Sequence, residues 1–308
     1  MRDIALPSDS TSLPTPRRQP SASNNMRGLL LMGLGFLLFS TADTQAKLLT
    51  DSFHPVQIAW SRQLGLLSGV VIALAVRGPS IFHTRHPALQ IARGLLAVIS
   101  ATCFIFAVKF VPLADAVAVS FVAPFMVTAM GALLLGERVG PRRWSAVIVG
   151  FLGTLIVIRP GMGVMHPAVL LVLVAATAFA ARQVVSRLLA SSDRTVTTVA
   201  YTALASVLAL SLPLPFLWTT PATEIQWALL FGMAAFAAVG ELLIIKSLEI
   251  AQASVLAPMH YSLIIWGTFW GWLIFGQLPD LWTWIGAIII VATGLYLIHR
   301  ERMLAAGE

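Results

Sequence analysis

Apolar runs of about twenty residues, separated by short polar breaks, fill the chain from Gly28 to Ile298. A helix rises 1.5 Å per residue, so a run of that length crosses the hydrocarbon core of a bilayer. The pattern predicts ten spans, over 28–48, 56–76, 88–108, 113–135, 144–158, 167–188, 196–217, 226–247, 252–275 and 281–298, the fifth of them short. Breaks fall where turn chemistry gathers, at Gly78-Pro79, His86-Pro87, Gly140-Pro141, Arg159-Pro160-Gly161, Pro221 and Pro279-Asp280. None is long enough to hold a soluble domain. Residues 1–26 carry Pro7, Pro14, Pro16 and Pro20 among Ser, Thr and Asn, a composition that cannot bury enough surface to fold. They are expected to form a disordered cytoplasmic tail, with 301–308 as a second tail. The run Gly28–Phe39, with small residues near Ala42, has the outline of a signal peptide. A recurrence argues against that reading: Phe39, Lys47, Leu48 and Leu49 return 140 positions later as Phe179, Arg187, Leu188 and Leu189.

The recurrence is wider. The stretch Ala114–Ile158, with Pro124, Gly136-Glu137 and Trp144, has a second version over Ala251–Ile298, with Pro258, Gly276-Gln277 and Trp284. The chain divides into a first five-span unit over 27–160 and a second over 161–300. An odd number of spans per unit forces the second copy to enter the membrane upside down. The expected fold is therefore an all-α membrane protein of ten transmembrane helices in an inverted 5+5 repeat, with a site near the midplane between the halves. Pro124 and Pro258 each interrupt a long apolar run, where proline removes a backbone donor and bends the helix.

Composition excludes most other classes. The 308 residues are 58% hydrophobic and 11% charged, unlike a soluble domain. The formal charge of +7 does not signal nucleic acid, because the basic residues sit in the breaks rather than on one solvated face. They report topology instead. Lys47, Lys109 and Arg159 fall on one side, Arg62 and Arg182 within spans, and the rest of the 20 Lys and Arg on the other side, which places both termini in the cytoplasm. The single cysteine, Cys103, leaves no disulfide framework or multi-cysteine metal site. Walker A, H-E-x-x-H, CxxC and G-x-S-x-G patterns are missing, so no cofactor, metal or catalytic residue is assigned. A membrane enzyme or a non-transporting scaffold is the alternative. An enzyme would need its acid and base at one membrane depth, whereas the ionisable groups here are split between the two sides.

Charges inside spans are costly and usually face a cavity or a partner. Asp43 and Arg62 lie at similar depths, roughly 8–10 Å below the outer surface at 1.5 Å per residue, and could pair. Arg182 and Glu241 could form a second pair on the cytoplasmic side, joined by Arg93 or with Arg93 snorkelling to the interface. These groups either hold an anionic part of a substrate or carry a proton, or else are structural pairs that fix helix register. Asp43 and Glu241 are the proton candidates. His260 and Tyr261 follow Pro258, where freed backbone groups are expected. Trp60, Phe121, Phe125, Tyr261 and Trp266 could stack on a flat substrate or simply pack. Gly65 with Gly69, and Gly267 with Gly271, permit close helix approach within the bundle or in a homodimer.

The pattern resembles the drug/metabolite transporter superfamily, EamA type, over residues 27–300. The residues carrying the resemblance are the duplicated unit, Asp43 before Lys47, Arg62, Arg93-Gly94-Leu95-Leu96, Ser120-Phe121 with Pro124, and Ala257-Pro258 with Tyr261. Within that group it looks like the branch containing bacterial S-adenosylmethionine carriers and riboflavin importers. The resemblance implies a ten-helix bundle in the cytoplasmic membrane, a central cavity, alternating access and a small polar metabolite as substrate. Two departures stand out. Ala42 occupies a place where such relatives often have asparagine, and Arg182-Gln183 occupies a stretch that often holds an acid.

Overall fold

The computed structural model describes residues 22–136, 140–159, 166–189, 192–251 and 253–306. Glu137, Arg138, the Pro160-Gly161 turn and most of the two tails lie outside the described residues. All regular elements among the described residues are helical. They are α1 (Ala22–Leu49), α2 (Pro55–Arg77), α3 (Pro87–Val108), α4 (Leu113–Ser120), α5 (Ala123–Leu135), α6 (Pro141–Ile158) and α7 (Val169–Leu189). There follow α8 (Thr195–Ser211), α9 (Leu214–Leu217), α10 (Glu224–Ile250), α11 (Ala253–Leu256), α12 (Ser262–Phe275) and α13 (Leu281–Ala306). Among the described residues six segments are long and apolar enough to cross a membrane, and the apolar parts of α6, α8 and α13 are shorter.

The expected spans correspond to these elements, with differences that have local causes. The expected fourth span is broken at Phe121–Val122 into α4 and α5, just before Pro124. Proline there occupies the first turn of α5, where its missing N–H leaves no helical bond unmade. The expected ninth span carries a 3-10 turn over Ala257–Tyr261 between α11 and α12, with Pro258 in its first turn. The seventh ends at Ser211, because Pro213 starts the separate turn α9. Helix α1 begins at Ala22, inside the stretch expected to be disordered, and α13 continues to Ala306.

A shift of 140 positions carries Pro55 at the start of α2 onto Thr195 at the start of α8, and Pro141 of α6 onto Leu281 of α13. It also carries Gly136 onto Gly276, both left-handed C-caps with φ near +65° that side chains with a Cβ rarely adopt. Packing follows the same rule. Helix α1 packs chiefly on α10 and α7 chiefly on α3; α2 on α10 matches α8 on α3; α6 packs on its own counterpart α13. The correspondence reaches single residues. A Cβ on Gly65 would meet the Ala234 carbonyl oxygen at 2.0 Å, and one on Gly94 would meet the Ala205 Cβ at 2.5 Å. Positions 65 and 205, and 94 and 234, are related by the shift.

Helices α1 and α7 end at opposite ends of the bundle. Lys47, near the end of α1, bonds to the loops that hold Val111 and Gln277. Asp193, just past the end of α7, bonds to Thr84 and Gln90 at the other end of the bundle. We refer below to the Lys47 end and the Asp193 end. Large apolar side chains such as Ile72, Val76, Ile148, Leu208, Phe231 and Ile288 remain exposed around the outside, as lipid contact requires. Gly65 and Gly267 each serve a crossing inside the bundle, against Ala234 and Val117 respectively.

Gly65→Ala should lower stability by about 1–3 kcal/mol through overpacking against the Ala234 backbone. Gly69→Ala, with nothing within 4 Å of its added Cβ, should be neutral or stabilising. Melting temperatures of the two variants in detergent check the pair, and equal shifts would contradict the crossing geometry.

Candidate functional site

At the Lys47 half of the bundle, an Arg62 terminal nitrogen lies 2.5 Å from an Asp43 carboxylate oxygen. Both side chains are mostly buried, at 14% and 16% exposure, and the guanidinium also lies 5.3 Å from the Phe39 ring centre. Depth matching had indicated this pair. The two residues hold α1 and α2 in register.

The second cluster is built differently. Arg93 on α3 donates from Nε to Ser186 Oγ at 2.7 Å and from a terminal nitrogen to Thr202 Oγ1. Ser186 donates onward to the Arg182 carbonyl and Thr202 to the Thr198 carbonyl. Arg93 is therefore turned inward and tied to α7 and α8, rather than snorkelling. Arg182 lies over the Phe179 ring at 4.9 Å, and its buried Nε has no hydrogen-bond partner. The expected Arg182–Glu241 ion pair is not closed: among the described residues no ion pair within 4 Å includes Glu241. Its carboxylate on α10 acts on both Arg93 and Arg182 only across the intervening space. Two cations and one anion are thus contributed by α3, α7 and α10, and the Arg182 Nε is left without a partner.

The two helix breaks meet. Phe121, at the joint between α4 and α5, stacks on Tyr261, at the end of the 3-10 turn, with ring centres 5.2 Å apart and planes tilted by 26°. These positions are again 140 apart. Phe121 is buried, Tyr261 and Pro258 are partly buried, and Pro124 is exposed. His260 is exposed and its ring lies 4.8 Å from Phe36. Trp266 buries an indole N–H that finds no acceptor. Trp60 donates to Ser211 at 2.9 Å and meets Trp218 edge-on, so it is a packing residue at the α2–α8 crossing. Two cavities elsewhere hold none of these residues. One of about 400 Å³ is lined by Asp51, His54, Phe106, Lys109 and Phe110, and one of about 310 Å³ lies between α6 and α13 around Ser145 and Thr293.

Sequence reasoning missed a third cluster, at the Lys47 end. Lys47 donates to the Val111 carbonyl at 2.8 Å and to Gln277 Oε1 at 3.3 Å. Arg159 bonds to Asp280 at 2.5 Å. Burial alone would raise the Asp280 carboxyl, but the Thr283 N–H and the Arg159 guanidinium outweigh it and hold the group below its ordinary 3.8. A depressed carboxyl favours folding above its unfolded value, and that contribution is lost as pH falls through the depressed one. With Asp280 at 45% exposure, water screens the pair to about 1 kcal/mol at most. Nearby, burial and the Lys109 charge lower His54, which keeps the imidazole neutral while its Nδ1 caps α2 at the Val56 N–H. The available signal was the shift itself, which puts Lys47 opposite Arg187 in the other copy.

Comparison with known proteins decides the family. Its sequence profile, the EamA-like transporter family, matches the chain twice, over residues 26–159 and 166–299. The chain belongs to the EamA-like transporter family. The chain is similar to a protein named S-adenosylmethionine uptake transporter in Rickettsia prowazekii (strain Madrid E), 25% identical over 280 residues and covering 90% of this chain and 94% of the relative. It is also similar to a pseudopaline exporter of Pseudomonas aeruginosa (strain UCBPP-PA14), 26% identical over 281 residues, with 89% and 97% covered. A riboflavin transporter of Vibrio cholerae serotype O1 is 32% identical over 228 residues, with 73% and 76% covered. A crystal structure of a protein 18% identical matches 89% of this chain and 96% of its own at a TM-score of 0.60, which shows a shared fold. This EamA-like protein is thus a multi-pass membrane protein.

Asp43→Asn strands the Arg62 charge among buried groups and should cost about 3–5 kcal/mol. Arg62→Met in the same chain should recover most of that loss. A double-mutant cycle on melting curves measures the coupling, and additive losses would show that the pair carries no shared energy.

Proposed function

We propose that the chain is a secondary transporter that moves a small polar organic metabolite across the cytoplasmic membrane by alternating access. Ten crossing helices form two oppositely oriented five-helix units, 27–160 and 161–300, in this reading. The twofold family match and the opposite directions of α1 and α7 support it. The Asp193 end is assigned to the cytoplasm, because the Lys and Arg excess lies there. Relatives named for uptake and for export share this family, consistent with gradients rather than the fold setting direction.

The observation that carries the proposal is the meeting of the two helix breaks at Phe121 and Tyr261, flanked by charges on both sides. Broken backbone at membrane depth is tolerated where protein or a water-filled path surrounds it. A transporter uses such a place as its binding site. The unspent Arg182 donor, with Arg93 beside it and Glu241 facing it, would hold an anionic part of the substrate. The aromatic joint would pack against the rest of the molecule. Asp43–Arg62 would act as a fixed pin on the opposite side. An enzyme reading is weaker, since the acid of one cluster and that of the other lie in different halves of the bundle.

A thermal-shift screen with S-adenosylmethionine, riboflavin, amino acids and nucleotides should give a ligand that raises the melting temperature. Proteoliposomes loaded with that compound should then show transport, reduced roughly tenfold or more by Arg182→Gln, since a hydrogen bond to a charged group contributes about 1.5–3 kcal/mol. Conversion of the compound without movement would replace the transporter reading with the enzyme one. Proton coupling predicts that Glu241→Gln flattens the pH dependence of transport; an unchanged profile removes Glu241 from that role.

A further inference from the structure

The cavity of about 400 Å³ at the Lys47 end lies between two turns, the one joining α1 to α2 and the one that follows α3. Backbone bonds close both turns: Ser52 and Phe53 donate to the Leu49 carbonyl, and Phe110 and Val111 donate to the Ala107 carbonyl. The walls are therefore preformed. Asp51 and Lys109 line the cavity, both exposed, and among the described residues neither closes an ion pair within 4 Å. The Asp51 charge acts on Lys47 only across space, while the Lys47 ammonium bonds to Val111 and Gln277. His54 spends its Nδ1 on the Val56 N–H, so the proton of the neutral ring sits on Nε2. Phe106 meets that ring edge-on at 5.3 Å, and Phe110, stacked on His166 at 4.8 Å, adds a second apolar wall. The shift of 140 puts Asp193 in the place of Phe53, Lys246 in that of Phe106 and Glu249 in that of Lys109. There the charges are matched within the protein, Asp193 by Thr84 and Gln90 and Lys246 by Glu249.

We propose that this cavity is a second binding site, separate from the charged centre of the bundle, for a small organic zwitterion with an apolar body. The Lys109 ammonium and the His54 Nε2–H hold the carboxylate of the ligand. Asp51 takes its ammonium, and the rings of Phe106 and Phe110 cover the apolar part. The two lining charges are of opposite sign, so a simple anion or a simple cation leaves one of them unmatched, whereas a zwitterion uses both. None of Arg93, Arg182, Glu241, Phe121 or Tyr261 lines the cavity, so the two sites can be separated by substitution. In the transporter reading above this end faces outward, and a compound held here waits at the mouth of the path. The binding itself does not depend on that reading.

The test is the protection of a cysteine and needs no transported substrate. Ser52→Cys, at an exposed position in the cavity wall, is placed in a Cys103→Ser chain in lipid nanodiscs, and its alkylation by a polar maleimide is timed with and without a probe. L-phenylalanine should slow the alkylation saturably. Phenylpropionate, which lacks the ammonium, and phenethylamine, which lacks the carboxylate, should each need about fivefold more for the same protection, the size expected of one partly exposed ion pair. Lys109→Ala should weaken protection by L-phenylalanine and phenylpropionate about fivefold and leave phenethylamine unchanged. Asp51→Asn should weaken L-phenylalanine and phenethylamine and leave phenylpropionate unchanged. Melting temperatures of the chain with its native Ser52 should rise with the three probes in the same order, which checks that the added cysteine has not altered the site. No protection by L-phenylalanine, or equal protection by all three probes, overturns the proposal. Protection that disappears with Arg182→Gln also overturns it, since the ligand would then occupy the central site. Loss of this site leaves the transporter reading standing, and a failure to find a transported compound leaves the protection result standing.

Discussion

Lipid offers no hydrogen bonds, so a helix interrupted within the bilayer must have its loose backbone groups sheltered by protein or water. This chain interrupts two helices, at Phe121–Val122 and at Ala257–Tyr261, and shelters each with the other. Everything near the centre is arranged by that demand. Helices α4 and α12 pack directly on each other, and α1, α7, α6 and α13 close around them. Small residues at the outer crossings bring the surrounding backbones close enough to complete the enclosure.

The charged groups then sort by whether their bonds are closed. Asp43 and Arg62 satisfy each other, and Arg93 satisfies itself on two hydroxyls. Such groups fix helices in place. Arg182 and Glu241 close no ion pair with each other, and the Arg182 Nε, packed over the Phe179 ring, is left without a partner. A difference in bond closure, rather than in residue type or depth, separates the structural charges from the candidate binding ones.

Most of the architecture was legible in the sequence because lipid imposes one length and one polarity on every span. The breaks at Pro124 and Pro258 were legible because proline cannot donate, and the Asp43–Arg62 pair because two charges at one depth have few other partners. The Arg182–Glu241 contact was not, since depth gives no rotation about the helix axis and Ser186 and Thr202 offered Arg93 better-placed acceptors. Lys47 and Gln277 lie 230 positions apart and read separately as a topology signal and a turn residue. Only the folded chain shows these groups sharing one cluster.

The Phe121–Tyr261 stack has one more implication. A position lying on a two-fold axis touches its own image, so in a dimer of identical single units one residue would have to suit both sides at once. Joining the units in a single chain removes that obligation. Here the hydroxyl of Tyr261 lies where a Cβ on Gly294 would be, 1.5 Å away, while the position equivalent to Gly294 in the other copy is the buried Thr154. Only one half has room for the phenol, and a ring with a polar tip facing a plain ring gives the centre of the molecule a sidedness that its symmetry alone would forbid.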